Sequence, residues 1–248
     1  MSRTGGSSNE EKGTKRSVYA ALIANLLIAV SKFVAGLASG SAALLAEGAH
    51  SVADTVNQVF LLISLPLSKT APDRDHPYGH GKDRFFWSLI VAVGLFVAGT
   101  VFSVYEGISK IAEGSEEHGS FLAGYIVLGA AFVFESGALV VSTRELRRAA
   151  QAESRSFWEH FKVTRNTTMK VPLYEDAAAL LGLLIAASGL YATQLTGNGI
   201  YDGIASIGIG GVLAFVAWEL GRDSRALHSG GSGAPRGRGT SAQRDDLL

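Results

Sequence analysis

Ser39-Gly-Ser-Ala-Ala-Leu-Leu-Ala-Glu47-Gly-Ala-His50-Ser-Val-Ala-Asp54-Thr-Val-Asn57-Gln58 is the stretch that decides how this chain is read. It opens on a tight glycine turn and continues in apolar and small residues as far as position 66, yet it carries Glu47, His50, Asp54, Asn57 and Gln58. A helix rising about 1.5 Å per residue covers roughly 30 Å of hydrocarbon in about 20 residues, so 41–66 is long enough to span a bilayer. On that helix His50 and Asp54 lie one turn apart on one face. An imidazole nitrogen and a carboxylate oxygen placed this way can both reach one ion at about 2 Å. Glu47 falls on the same side, one turn nearer the glycine turn, and Asn57 extends the stripe the other way. An ionisable side chain at mid-bilayer costs about 2.5–3.5 kcal/mol, which makes a row of them a functional-site candidate. The competing reading is a polar seam that joins helices by hydrogen bonds. It suits a lone Asn better than Glu, His, Asp and Asn in one line.

The rest of the chain has the same character. Its 248 residues are 47% hydrophobic, with a mean hydropathy of +0.23, and the apolar residues fall in blocks. Six spans are predicted, near 17–38, 41–66, 87–111, 120–143, 172–195 and 202–220. The expected fold is therefore all-α, a six-transmembrane-helix bundle over 17–228. A disordered cytoplasmic arm at 1–16 and a disordered Gly/Ser/Arg-rich tail at 229–248 are expected to flank it. The first 16 residues have no apolar core and do not resemble a cleaved signal peptide. The segment 67–86, with Pro72 and Pro77, is too broken to be helical throughout. The segment 144–171 can continue helically through Arg144-Glu-Leu-Arg-Arg.

Charge sets the orientation. Lys and Arg flank the first span, fill 67–86 and 144–171, and follow the sixth span, while the three alternate loops have none. The positive-inside rule then puts both termini in the cytoplasm. A formal net charge of zero gives no reason to expect nucleic acid as a partner. Cysteine is absent, so a metal site must be built from His, Asp and Glu.

Two further groups of residues bear on a metal. Glu175 and Asp176 open the fifth span just after Pro172. Adjacent helical residues diverge by about 100°, so one of the two is expected to face the second span. Acids in a first helical turn are also explained by the helix dipole, unless the helix begins before Pro172. Asp73-Arg-Asp-His76-Pro-Tyr-Gly-His80 is either a metal entrance or an ordinary loop whose histidines cap a helix. Asn25, Lys32, Glu106, Lys110, Glu135 and Asp202 are read as structural. Lys110 and Asp202 can snorkel to the interface, and Lys32 can do so or pair with a carboxylate. His118, His160 and His228 are expected at the surface. A haem or hydrolase site is disfavoured: His50 is the single intramembrane histidine, and Ser51 points about 100° away from it.

The 39–54 stretch, together with His76-Pro-Tyr-Gly-His80-Gly-Lys82, resembles the cation diffusion facilitator family of zinc-transporter-type metal/proton antiporters, over about residues 15–228. The resemblance implies a tetrahedral transport site with two ligands from the second helix, here His50 and Asp54, and two from the fifth. Asp176 matches the family's fifth-helix Asp. The family's His falls on Pro172, leaving Glu175 as the nearby replacement. Such an oxygen-rich set implies Mn²⁺, Fe²⁺ or Co²⁺ as well as Zn²⁺ as cargo. It also implies a second metal at Asp73, His76 and His80, no tightly bound cofactor, and efflux coupled to protons rather than an enzymatic reaction. The expected location is a bacterial plasma (inner) membrane. The family's usual cytoplasmic C-terminal domain is expected to be missing, so a homodimer would be held by the membrane helices. The alternative is a non-transporting membrane subunit or regulator that keeps the fold.

Overall fold

The computed structural model describes the backbone over residues 5–67, 81–114, 121–163 and 167–229. Side-chain surroundings are described over 22–60, 90–114, 121–162 and 170–222. Seven helices account for nearly all of it: α1 (Gly5–Ser39), α2 (Ala42–Leu67), α3 (Gly81–Glu113), α4 (Phe121–Ala152), α5 (Phe157–Val163), α6 (Thr167–Thr196) and α7 (Ile200–Ser229). Among the described residues there is no strand.

The α1–α2 hairpin turns at Gly40, whose φ of 72° lies in the left-handed region that a Cβ disfavours. The Ser41 amide donates back to the Gly36 carbonyl at 3.0 Å, the Schellman closure of a helix C-terminus. Beyond the turn the first amides of α2 need acceptors, and Asp202 of α7 supplies them. Its carboxylate accepts from the Ser41 hydroxyl at 2.6 Å and from the Ala42 amide at 2.5 Å, with the Ala43 amide at 3.3 Å. Asp202 is fully buried, so it caps a neighbouring helix and does not snorkel to the interface. Lys110 of α3 donates to the Gly40 carbonyl at 2.8 Å, which pins the same turn from the other side.

Small residues let the helices approach closely, the usual basis of packing in lipid. A Cβ on Gly107 of α3 would meet the Gly203 carbonyl and Ile207 of α7. The buried core runs through Leu44, Phe96, Leu128, Leu183, Leu190, Ile209 and Leu213. Large apolar side chains point outward instead, among them Leu37, Val101, Leu122, Val133 and Leu184. This inside-out surface is that of an integral membrane bundle.

Among the described residues five segments are long and apolar enough to cross a membrane by themselves: Leu22–Ser39, Ile90–Glu113, Phe121–Ala152, Lys170–Thr196 and Ile200–Arg222. The sixth expected span, α2, has the length, about 39 Å for 26 residues, but its polar row dilutes its apolarity. Packing accounts for the difference. α2 touches α1, α3, α6 and α7, so protein surrounds its polar face, and among its described residues Val52, Val56 and Phe60 are the large apolar side chains left outside.

One boundary differs from the sequence expectation: α1 is helical from Gly5, within the arm expected to be disordered. α4 continues through 144–148, as its sequence suggests, and runs on to Ala152. Past a turn at Ser154, α5 folds back on α4 and buries His160 beside Glu153 at 3.2 Å. His160 is thus interior, against the expectation of a surface residue, because α5 packs back against α4. His118, the side chain of His228 and the tail from 230 onward lie outside the described residues.

Candidate functional site

His50 is 1% exposed and packs against the ring of Phe96, with centroids 5.8 Å apart. Neither ring nitrogen has a hydrogen-bond partner among the described residues. The nearest carboxylate oxygen is Asp54 Oδ2, 3.5 Å from Nε2, as the one-turn spacing requires. A buried imidazole with two unsatisfied nitrogens is costly unless it has something to bind.

Asp54 lines a cavity of about 90 Å³ between α1, α2, α4 and α6. Its other polar walls are Asn25 of α1, Ser51 and Gln58 of α2, Glu135 of α4, and Glu175 and Asp176 of α6. α6 begins at Thr167, so both of its acids sit beyond the first turn, where the dipole's influence has faded. They diverge as adjacent helical residues must. Glu175 reaches α2, accepting from the Asn57 amide at 2.6 Å. Asp176 turns toward α4 and accepts from the Ser142 hydroxyl at 2.5 Å.

His50, Asp54, Glu175 and Asp176 thus come to one region near the middle of the bundle, with Asp54, Glu175 and Asp176 on the wall of a single cavity. They do not close on a point. Among the described residues no three His, Asp or Glu side chains converge tightly enough to enclose an ion. The reason lies in the two hydrogen bonds just given, which hold the α6 carboxylates toward Asn57 and Ser142. An ion drawing them in would have to exchange those bonds for its own. Asp73, His76 and His80 lie outside the described residues.

Three features escaped the sequence reading. Glu135 faces the cavity, against the structural role expected of it, and its position as a lone acid in the apolar part of α4 is the signal that marks it. Ser142 carried no signal, since a helical serine ordinarily bonds its own preceding turn, as this one also does to Ala138 at 3.2 Å. Glu47 belongs to the polar row but not to the cavity wall. Its Oε2 accepts from Lys32 Nζ at 2.9 Å, and Lys32 also donates to Ser51 Oγ at 2.7 Å.

Comparison with known proteins agrees with this architecture. Residues 18–227 match the family described as the cation efflux transmembrane domain. The chain is 38% identical over 206 residues to the mouse (Mus musculus) mitochondrial proton-coupled zinc antiporter SLC30A9, covering 83% of this chain and 36% of that one. It is 38% identical to metal tolerance protein C4 of Arabidopsis thaliana, covering 88% and 48% respectively. With the manganese efflux system protein MneP of Bacillus subtilis it shares 27% identity over 88% of this chain and 69% of that one. The chain therefore spans between about a third and a half of the length of the first two relatives. An all-helical membrane bundle matched from 18 to 227 by that family description belongs to the cation efflux, or cation diffusion facilitator, family of transporters.

Proposed function

We propose that this chain carries divalent transition-metal cations across a membrane in exchange for protons, with export from the cytoplasm as its direction. The observation that carries the reading is the shared cavity: carboxylates from α2, α4 and α6 line one space at mid-bundle, and a buried, unpartnered imidazole stands 3.5 Å from one of them. His50, Asp54, Asp176 and Glu175 are the cargo's ligands in this reading. Each must be deprotonated to bind, so protons and metal compete for the same atoms, and an inward proton gradient drives metal outward.

Zinc and manganese are the metals named by the relatives, and a set of one imidazole and several carboxylates suits Zn²⁺, Mn²⁺, Fe²⁺ and Co²⁺. Asp73, His76 and His80 belong to the reading as a loop site at the cytoplasmic entrance. Residues 17–228 act as the transporter domain, two copies associate through their membrane helices, and both termini face the cytoplasm of a bacterial inner membrane. The distribution of Lys and Arg supports that orientation.

The test is metal movement in proteoliposomes under a pH gradient, with Asp54→Ala and Glu175→Ala beside the wild type. Loss of movement in folded Asp54→Ala is expected, and full activity there would sink the assignment. A wild type that binds metal but never moves it would favour the non-transporting subunit instead.

A further inference from the structure

The Lys32–Glu47 pair has no place in the ligand set, and stability does not account for it. Both side chains are 0% exposed, and taking two charges out of water costs several kcal/mol apiece. Well-packed apolar residues in their place are often neutral or stabilising. Its position is more informative. Lys32 precedes the last residue of α1 by seven positions and Glu47 follows the first residue of α2 by five, so the pair sits about 8–10 Å below the hairpin turn. On the same scale His50 and Asp54 lie about 12 and 18 Å down. The pair therefore stands between the turn and the site. Ser51 is the shared wall, lining the cavity on one side and accepting from Lys32 Nζ on the other.

Glu47 also closes against a third helix. Its second oxygen, Oε1, is buried without a partner among the described residues and lies over Gly182 of α6, where a Cβ would run into the carboxylate. Lys32, Glu47, Ser51 and Gly182 thus draw α1, α2 and α6 together in one layer on the hairpin side of the cavity. An ammonium in that layer repels a dication approaching from the cavity, and held 2.9 Å from Glu47 Oε2 it neutralises the charge that would otherwise draw the ion on.

We propose that Lys32 and Glu47 form the gate on the hairpin side of the cavity, a charged closure that must part for cargo to leave by that end. The proposal rests on the transporter reading for its purpose. Its first test does not depend on metal movement.

The chain has no cysteine, so a single thiol at the cavity wall reports which face of the membrane reaches it. Ala138→Cys provides that thiol. In sealed vesicles with the pair intact, a membrane-impermeant thiol reagent is expected to label it at least tenfold faster from the face opposite the hairpin. In the added double change Lys32→Met and Glu47→Leu, which removes the charges and keeps the bulk, the two rates are expected to become equal. Glu47→Asp, which shortens the carboxylate and keeps the charge, is the milder variant should the double change fail to fold. It is expected to narrow the difference. One-sided labelling that survives in the folded variants overturns the gate.

The second measurement uses Zn²⁺ and Mn²⁺ as probes. Vesicles holding the double variant are expected to lose a preformed metal gradient without a matching counterflow of protons, whereas metal movement in wild-type vesicles is matched by protons moving the other way. Proton-matched movement as in wild type overturns the gate. A wild type that moves no metal refutes the transporter reading and leaves the labelling result to decide the gate alone.

Discussion

Removing the Asp202 carboxylate should cost more than any other single side-chain change near the hairpin turn. Its oxygens receive the Ser41 hydroxyl and the Ala42 amide, with the Ala43 amide close by, and all four of these residues are buried. Loss of a helix cap costs about 0.5–2 kcal/mol. Leaving a buried donor unsatisfied costs about 1–3 kcal/mol more. Asp202→Ala is therefore expected to destabilise the bundle by about 2–4 kcal/mol. Asp202→Asn keeps an acceptor oxygen and loses the charge, so about half that cost is expected. Reversible unfolding in mixed detergent, followed by helical signal, measures both. Hydrogen exchange provides a local check, because the Ala42 and Ala43 amides should lose protection before the middle of α2 does. An Asp202→Ala protein within about 0.5 kcal/mol of wild type, with those amides still protected, would refute the cap.

Three other outcomes follow from the cavity. Ser142→Ala frees the Asp176 carboxylate from a charge-assisted hydrogen bond worth about 1.5–3 kcal/mol, so metal should bind at least about tenfold more tightly by calorimetry. Weaker binding would show that Ser142 orients Asp176 for the ion and does not compete with it. Glu135→Gln removes a charged oxygen from the wall and should reduce Mn²⁺ binding more than Zn²⁺ binding in a competition assay. Equal losses for the two ions would count against a selective role. Acidification should weaken metal binding and release metal, since every proposed ligand binds only when deprotonated. An affinity that does not change with pH would contradict proton exchange at this site.

Much of the architecture could be read from the residues, for physical reasons that can be named. Gly40 between two apolar runs marks a hairpin because few residues tolerate its φ. The stripe from Glu47 to Asn57 marks α2 as the helix wrapped in protein because lipid cannot host it. The partners of those residues could not be read. Helical period tells which face Glu47 and Asp202 occupy, but not that Lys32 awaits the first or the amides of Ala42 and Ala43 the second. Those pairings depend on how six helices are arranged side by side, which no local pattern encodes. The roles of Glu175 and Asp176 diverge for the same reason: their angular separation was predictable, and their partners Asn57 and Ser142 were not. His160 was misplaced because the fold-back of α5 depends on a turn at Ser154 with φ of 54°, a conformation serine rarely signals.

The polar face of α2 also bears on how the protein is made. A segment carrying Glu47, His50 and Asp54 is a poor candidate for entering lipid alone, since each charge at a helix centre opposes insertion by about 2.5–3.5 kcal/mol. α1 is apolar enough to go first, and only Gly40 and Ser41 separate it from α2. The two helices therefore suit insertion as one unit, with Lys32 and Glu47 neutralising each other inside the hairpin before either meets the acyl chains. A contact that sits idle in the ligand chemistry would thus serve the nascent chain first.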